Sequence, residues 1–234
     1  MKILSWNVRG IGNNKCLRNC REMFRNYKPD VLSLLETRCD ESSVAEAFGN
    51  KLGFQQVSLL PSAGFAGGIL VMWNESVNVQ VIHSTFQVVH FMVSENNLSW
   101  VLSCSYVQPH CQMKELFWEE MTSFAYNLNL PWVVIGDFND IASSEEKSGG
   151  AEFSANRAQQ FLERSQGCDL NDIGASLGTK LTWSLRVNGR VILRERLNRA
   201  FRHSLALQCF PEAIPNDNSH WDGRGIMGVR HIPW

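Results

Sequence analysis

Three largely apolar runs in this chain each break off into a polar cluster: Ile3–Trp6 into Asn7, Val31–Leu35 into Glu36, and Trp132–Ile135 into Asp137 and Asn139. Runs of this length read as β-strands. The end of a strand is where a rigid sheet can project polar groups into a shared crevice. One such cluster is an ordinary turn, since Asn and Asp close strands everywhere. Three of them, carrying two carboxylates and two amides, make a set with chemical potential. A hard cation such as Mg²⁺ takes one or two carboxylates and keeps several waters. Phosphodiester cleavage needs such an ion together with donors that orient the phosphate.

Between these runs the pattern alternates. Leu17–Tyr27 and Ser43–Leu52 have helical spacing, the second with Ser42 or Ser43 as its cap. Four β signals follow at Gly67–Trp73, Val77–Ile82, Phe86–Val93 and Trp100–Tyr106, separated by Asn, Ser and Gly turns, which argues for antiparallel pairing. Met113–Leu128 and Ser154–Arg164 read as further helices, the latter capped by Ser154. Leu181–Ser184 and Val191–Leu197 form the arms of a hairpin around Asn188-Gly189. Strands interleaved with helices, plus a central antiparallel block, predict two sheets packed face to face with helices outside.

At 234 residues and 44% hydrophobic, the chain suits one large α/β domain better than two small ones. The formal net charge of −1 supplies no global basic field, so any contact with nucleic acid must come from local Arg and Lys clusters. Seven cysteines without a CxxC pair, and no secretory segment at Met1, predict reduced thiols and an intracellular protein of nucleus or cytoplasm. No apolar run reaches the roughly 20 residues that a membrane span requires.

Ser5-Trp6-Asn7-Val8-Arg9-Gly10, Leu34-Leu35-Glu36-Thr37-Arg38 and Ile135-Gly136-Asp137-Phe138-Asn139 resemble, in order, the N-terminal signatures of the endonuclease/exonuclease/phosphatase superfamily. Further stretches are similar to the endonuclease domains of plant LINE-type retrotransposons. They are Gly67-Gly68, Glu146-Lys147-Ser148-Gly149-Gly150, Asn156-Arg157, Cys168–Asp172, Leu181-Thr182-Trp183 and Glu195–Ala200. The resemblance implies a deoxyribonuclease-I-like, four-layer α/β sandwich of two mixed sheets flanked by helices, and a Mg²⁺- or Mn²⁺-dependent DNA endonuclease. It implies Glu36 as the metal ligand and Asp137 as the residue that activates water or assists the leaving group. Asn7 and Asn139 would orient the phosphate, and Tyr106 would reach it. Arg9, Arg38, Trp183 and Arg196 would meet nucleic acid, with Arg186, Arg190, Arg194 and Arg199 clustered near the hairpin.

The family's closing Ser-Asp-His signature is absent, and Asn198 stands where an Asp is expected to support that His. A chain of this kind is expected to cleave weakly, because losing a general acid/base costs about 10²–10⁴-fold in rate. The alternative is a non-catalytic, retrotransposon-derived remnant that binds nucleic acid. Residues 1–214 are expected to form the domain, and 215–234, including His220 and His231, an irregular tail, leaving the last strands of the fold missing.

Overall fold

The computed structural model describes residues 1–64, 67–95, 98–174, 181–215 and 226–230. One six-stranded sheet has the order β14 (Ile214–Pro215), β15 (Ile226–Arg230), β1 (Ile3–Asn7), β2 (Val31–Leu35), β4 (Ile69–Trp73) and β3 (Gln56–Leu60). A second has the order β10 (Leu170–Asp172), β13 (Asn198–His203), β8 (Trp132–Asp137), β7 (Leu98–Tyr106), β6 (Val88–Glu95) and β5 (Asn78–Ser84). Each sheet is mixed, with one parallel pair, β1–β2 in the first and β7–β8 in the second. A small third sheet joins β11 (Trp183–Val187), β12 (Arg190–Glu195) and β9 (Lys147–Gly149).

The largely apolar runs have a direct physical cause, because their strands are buried on both faces. In β4, Ile69, Val71 and Trp73 enter the core between the sheets, while Leu70 and Met72 face the helices α1 (Asn14–Tyr27) and α2 (Ser42–Leu52). In β8, Val133 and Ile135 point inward, and Trp132 and Val134 meet the layer containing α3 (Cys111–Tyr126) and α4 (Ala155–Gly167). The predicted four-layer sandwich is therefore present, helices outside and two sheets within. A last short helix, α5 (Ser204–Cys209), follows β13. Among the described residues no helix is long and apolar enough to cross a membrane. All seven cysteines are free.

Local signals held at several points. Ser154 caps α4, its hydroxyl accepting from the Arg157 backbone N–H. Asn188 and Gly189 turn the β11–β12 hairpin with φ of 49° and 77°, the pair of positive values that a tight hairpin of this hand requires. Ser42 and Ser43, by contrast, lie inside α2, whose cap residue is Glu41 and makes no side-chain capping bond. The short strands β3, β9 and β10 carried no readable periodicity. A larger correction concerns the tail. Ile226–Arg230 pairs antiparallel with β1 over Ile3–Trp6, so a strand is present where the last strands were expected to be missing, within the stretch expected to be irregular. An unpaired strand edge leaves a row of orphan backbone donors and acceptors, which even an atypical segment can satisfy. His220 and His231 lie outside the described residues.

Candidate active site

The two sheets present their polar strand ends to one another. β1 and β2 run parallel with Asn7 beside Leu35, which brings Glu36, the next residue, next to Asn7. On the facing sheet, Tyr106, Asp137 and Asn198 form one row across β7, β8 and β13. Gly136 makes the β7–β8 approach possible, because a Cβ there would lie 2.0 Å from the Ser105 carbonyl oxygen. The side-chain amide of Asn7 joins the two sheets, donating to Glu36 Oε1 at 2.7 Å and to Asp137 Oδ2 at 2.9 Å.

The turns that carry these groups hold unusual backbone conformations. Arg9, Glu36, Arg38 and Asn139 all have φ near +50°, a region that costs a non-glycine residue roughly 1 kcal/mol or more. Backbone bonds across the turns sustain it: Gly10 N–H donates to Glu36 O, Ile11 N–H to Thr37 O, and Thr37 and Arg38 N–H to Gly68 and Gly67 O. Gly68 is required here, since a Cβ would lie 2.4 Å from Thr37 Oγ1. Such strain gathers where a fold over-determines a functional geometry.

Asp137 is buried, and desolvation pushes its carboxyl up to about 6, against the opposing hydrogen bonds from Asn7 and from the Asn139 backbone N–H. The Tyr106 phenol is also raised, first by burial and then by the charges of Glu36 and Asp137. It therefore remains a proton donor across the working pH range. Asn139 turns its side-chain amide to the Val107 carbonyl at 2.7 Å while its backbone N–H donates to Asp137 Oδ1 at 3.1 Å.

The expected residues thus converge, with adjustments at Asn7 and at Arg196. Both amide hydrogens of Asn7 are spent on the carboxylates, so Asn7 sets Glu36 and Asp137 and does not face a phosphate in this arrangement. Arg9 and Arg38 are exposed at the rim. The Arg9 guanidinium lies 5.7 Å over the half-buried Trp183 ring, and Arg38 lies 4.0 Å from Glu36. Arg196, expected at nucleic acid, is instead 3% exposed and bound to Glu146 and to both carboxylate oxygens of Asp172. Arg199 is wholly buried against the same two acids and over the Phe161 ring. Two carboxylates under the β13 turn draw these guanidiniums inward, and no property of the local sequence distinguishes them from the exposed Arg186, Arg190 and Arg194. The sequence reading also missed Lys114 and Asp140, which sit directly behind Asn139. A lysine on the buried face of an amphipathic helix was their one available signal.

The donor set fits a hard divalent cation. Asn7 Oδ1 is buried without a hydrogen-bond partner, and two carboxylates flank the same amide. Among the described residues no three His, Cys, Asp or Glu side chains converge as a closed metal cage. Mg²⁺ does not require one, because it retains much of its water.

A family model, Endonuclease/Exonuclease/phosphatase family, matches residues 4–221. No curated relative matches the chain. Among solved structures, the endonuclease domain of TRAS1, a telomere-specific non-LTR retrotransposon, superposes with a TM-score of 0.73 at 12% identity, covering 98% of this chain and 97% of that one. The AP endonuclease LMAP from Leishmania major gives 0.73 at 16% identity, with 97% and 86% covered. A 3′ phosphatase from Neisseria, NExo, bound to product DNA hairpin, gives 0.71 at 14% identity over the whole of both chains. At these identities the superpositions establish the fold, and the match over 4–221 establishes the lineage: the chain belongs to the endonuclease/exonuclease/phosphatase family.

Proposed function

We propose that this protein is a divalent-metal-dependent phosphodiester hydrolase that nicks DNA, working below the rate of a complete family member. The observation that carries the reading is the single Asn7 amide bridging Glu36 and Asp137, which sets two carboxylates from two sheets at one point. Glu36 and Asn7 Oδ1 would hold Mg²⁺ or Mn²⁺. When bound, the cation would neutralise phosphate charge and acidify water. Asp137 is more basic than an ordinary aspartate and takes a proton from the attacking water. Tyr106 donates a hydrogen bond to a phosphate oxygen, and the remaining amide hydrogen of Asn139 orients the same group. Arg9 and Arg38 meet flanking phosphates. DNA as substrate is supported by the solved relatives, one of which is bound to a DNA hairpin.

The missing Ser-Asp-His limits the rate. The Asp that would support that His is replaced by Asn198, in the row beside Asp137, where an amide would not stabilise an imidazolium as a carboxylate does. The same replacement favours a second reading, a non-catalytic domain that retains DNA binding. Supercoiled plasmid with Mg²⁺ separates them. Nicking by the parent, lost in Glu36→Ala/Asp137→Ala, supports the hydrolase. A parent that is folded by circular dichroism yet leaves the plasmid intact refutes it, and salt-dependent filter binding then decides the second reading.

A further inference from the structure

The carbonyl of Asn139 is gripped by two cations. Lys114 Nζ donates to it at 2.7 Å and Arg157 Nη2 at 2.6 Å. The same two cations take opposite oxygens of one carboxylate, Lys114 on Asp140 Oδ2 at 2.6 Å and Arg157 on Asp140 Oδ1 at 2.5 Å. Lys114 comes from the first turn of α3, Asp140 from the loop after β8, and Arg157 from the first turn of α4. Two helices therefore meet on one residue's backbone, and Asp140, the next residue of the loop, bridges their cations. The Asp140 carbonyl is held in turn by Arg199 Nη2 at 3.2 Å.

Lys114 is 5% exposed. A buried ammonium is costly unless its hydrogens are all answered, and an ion pair alone does not always repay that cost. An ordinary structural pair would satisfy Asp140 and leave Asn139 untouched. Here both cations share the Asn139 carbonyl as a further acceptor. That carbonyl belongs to a residue with φ of 50°, and the N–H of the same residue donates to Asp137 Oδ1. Holding the carbonyl pins one of the two peptide planes joined at the Asn139 Cα and so restrains the turn on which the direction of the N–H in the other plane depends.

We propose that Lys114, Asp140 and Arg157 form a positioning clamp for the reaction: by gripping the Asn139 carbonyl they keep the left-handed turn that aims the Asn139 N–H at the Asp137 carboxylate. The clamp rests on the hydrolase reading above. It acts through Asn139 and Asp137 and touches no substrate. Positioning partners of this kind change turnover by about 10–100-fold when removed, because small displacements at the reacting groups are costly.

Three variants of the full chain test it: Lys114→Met, Lys114→Arg and Arg157→Ala, the last at a side chain that is 55% exposed and so tolerates removal. In plasmid nicking with Mg²⁺, Lys114→Met lowers kcat about 10-fold or more while KM for DNA stays within about twofold. Lys114→Arg recovers most of the loss, and Arg157→Ala shows a smaller fall of the same kind. Independently of activity, hydrogen exchange at the Asn139 amide quickens in Lys114→Met while amides of β1 do not change. Unchanged kcat overturns the clamp, as does a Lys114→Arg variant as slow as Lys114→Met, or a kcat loss equal to that of a core variant with the same melting temperature. If the parent itself does not nick, the hydrolase reading fails, and the exchange measurement alone decides the clamp: faster exchange confined to Asn139 supports it, unchanged exchange overturns it.

Discussion

Asn198 lies in register with Asp137 across the β13–β8 pair, so an amide stands beside a buried acid that its surroundings hold at about 6. The substitution Asn198→Asp puts a second carboxylate in that row. Like charges in a closed site disfavour double ionisation. The melting temperature of Asn198→Asp is expected to fall at pH 8, by an amount corresponding to about 1–3 kcal/mol, and to fall less at pH 5. Calorimetry at the two values checks this, and equal losses at both would mean that the two side chains do not sense each other.

Asp137 itself makes stability depend on pH with a definite sign. Its folded value lies above the ordinary 3.8, so the folded state binds the proton more tightly than the unfolded chain. The stabilisation is complete below about 4 and disappears as pH rises through about 6. The rise to about 6 corresponds to roughly 3 kcal/mol. In metal-free protein, Asp137→Asn is expected to melt higher than the parent at pH 8, with the gap closing towards pH 5. A gap independent of pH would contradict the assignment.

The cluster of Glu146, Asp172, Arg196 and Arg199 has the opposite sign. Its guanidiniums hold both carboxyls below their usual range despite burial. Their contribution is present above the unfolded values, near 4, and is lost as pH falls through the lower folded ones. Arg199→Met leaves two buried carboxylates short of a partner and is expected to cost about 3–5 kcal/mol at pH 7. Urea unfolding measures the loss, and a change under 1 kcal/mol, roughly that of a surface pair, would refute the account.

Arg38 and Arg196 should separate cleanly in DNA binding. Arg38 is exposed at the site rim, and Arg196 is locked into the ion cluster. Arg38→Ala is expected to reduce the slope of log affinity against log salt by about 1 with an unchanged melting temperature. Arg196→Ala is expected to lower the melting temperature and, once folded, to leave the slope unaltered. A reversed pattern would return Arg196 to the DNA-binding face.

Much of the site was legible because its residues announce themselves locally. A strand buried on both faces is largely apolar, with only small Ser5 and Ser33 inside β1 and β2, so the polar groups that close β1, β2 and β8 stand out, and Asn7, Glu36, Asp137 and Asn139 were found this way. The Asn188-Gly189 turn and the Ser154 cap were readable for a similar reason: each satisfies a local backbone demand that few residue types can meet. Arg196 was misread because a guanidinium has the same local signature whether it faces water or a buried carboxylate 24 residues away.

The chain's own pattern of apolar runs, turn residues and strand-end polar groups determined the layered architecture and the membership of the candidate-site cluster, since burial periodicity and turn chemistry act over a few residues. Only the tertiary structure decided how those groups are used. It spends both hydrogens of Asn7 on carboxylates from opposite sheets, buries Arg196 and Arg199, closes the first sheet with Ile226–Arg230, and brings Lys114 and Arg157 onto one carbonyl. These are relationships between residues far apart in the chain. They are settled by which desolvated charge finds which partner when the layers close, a choice that local sequence does not encode.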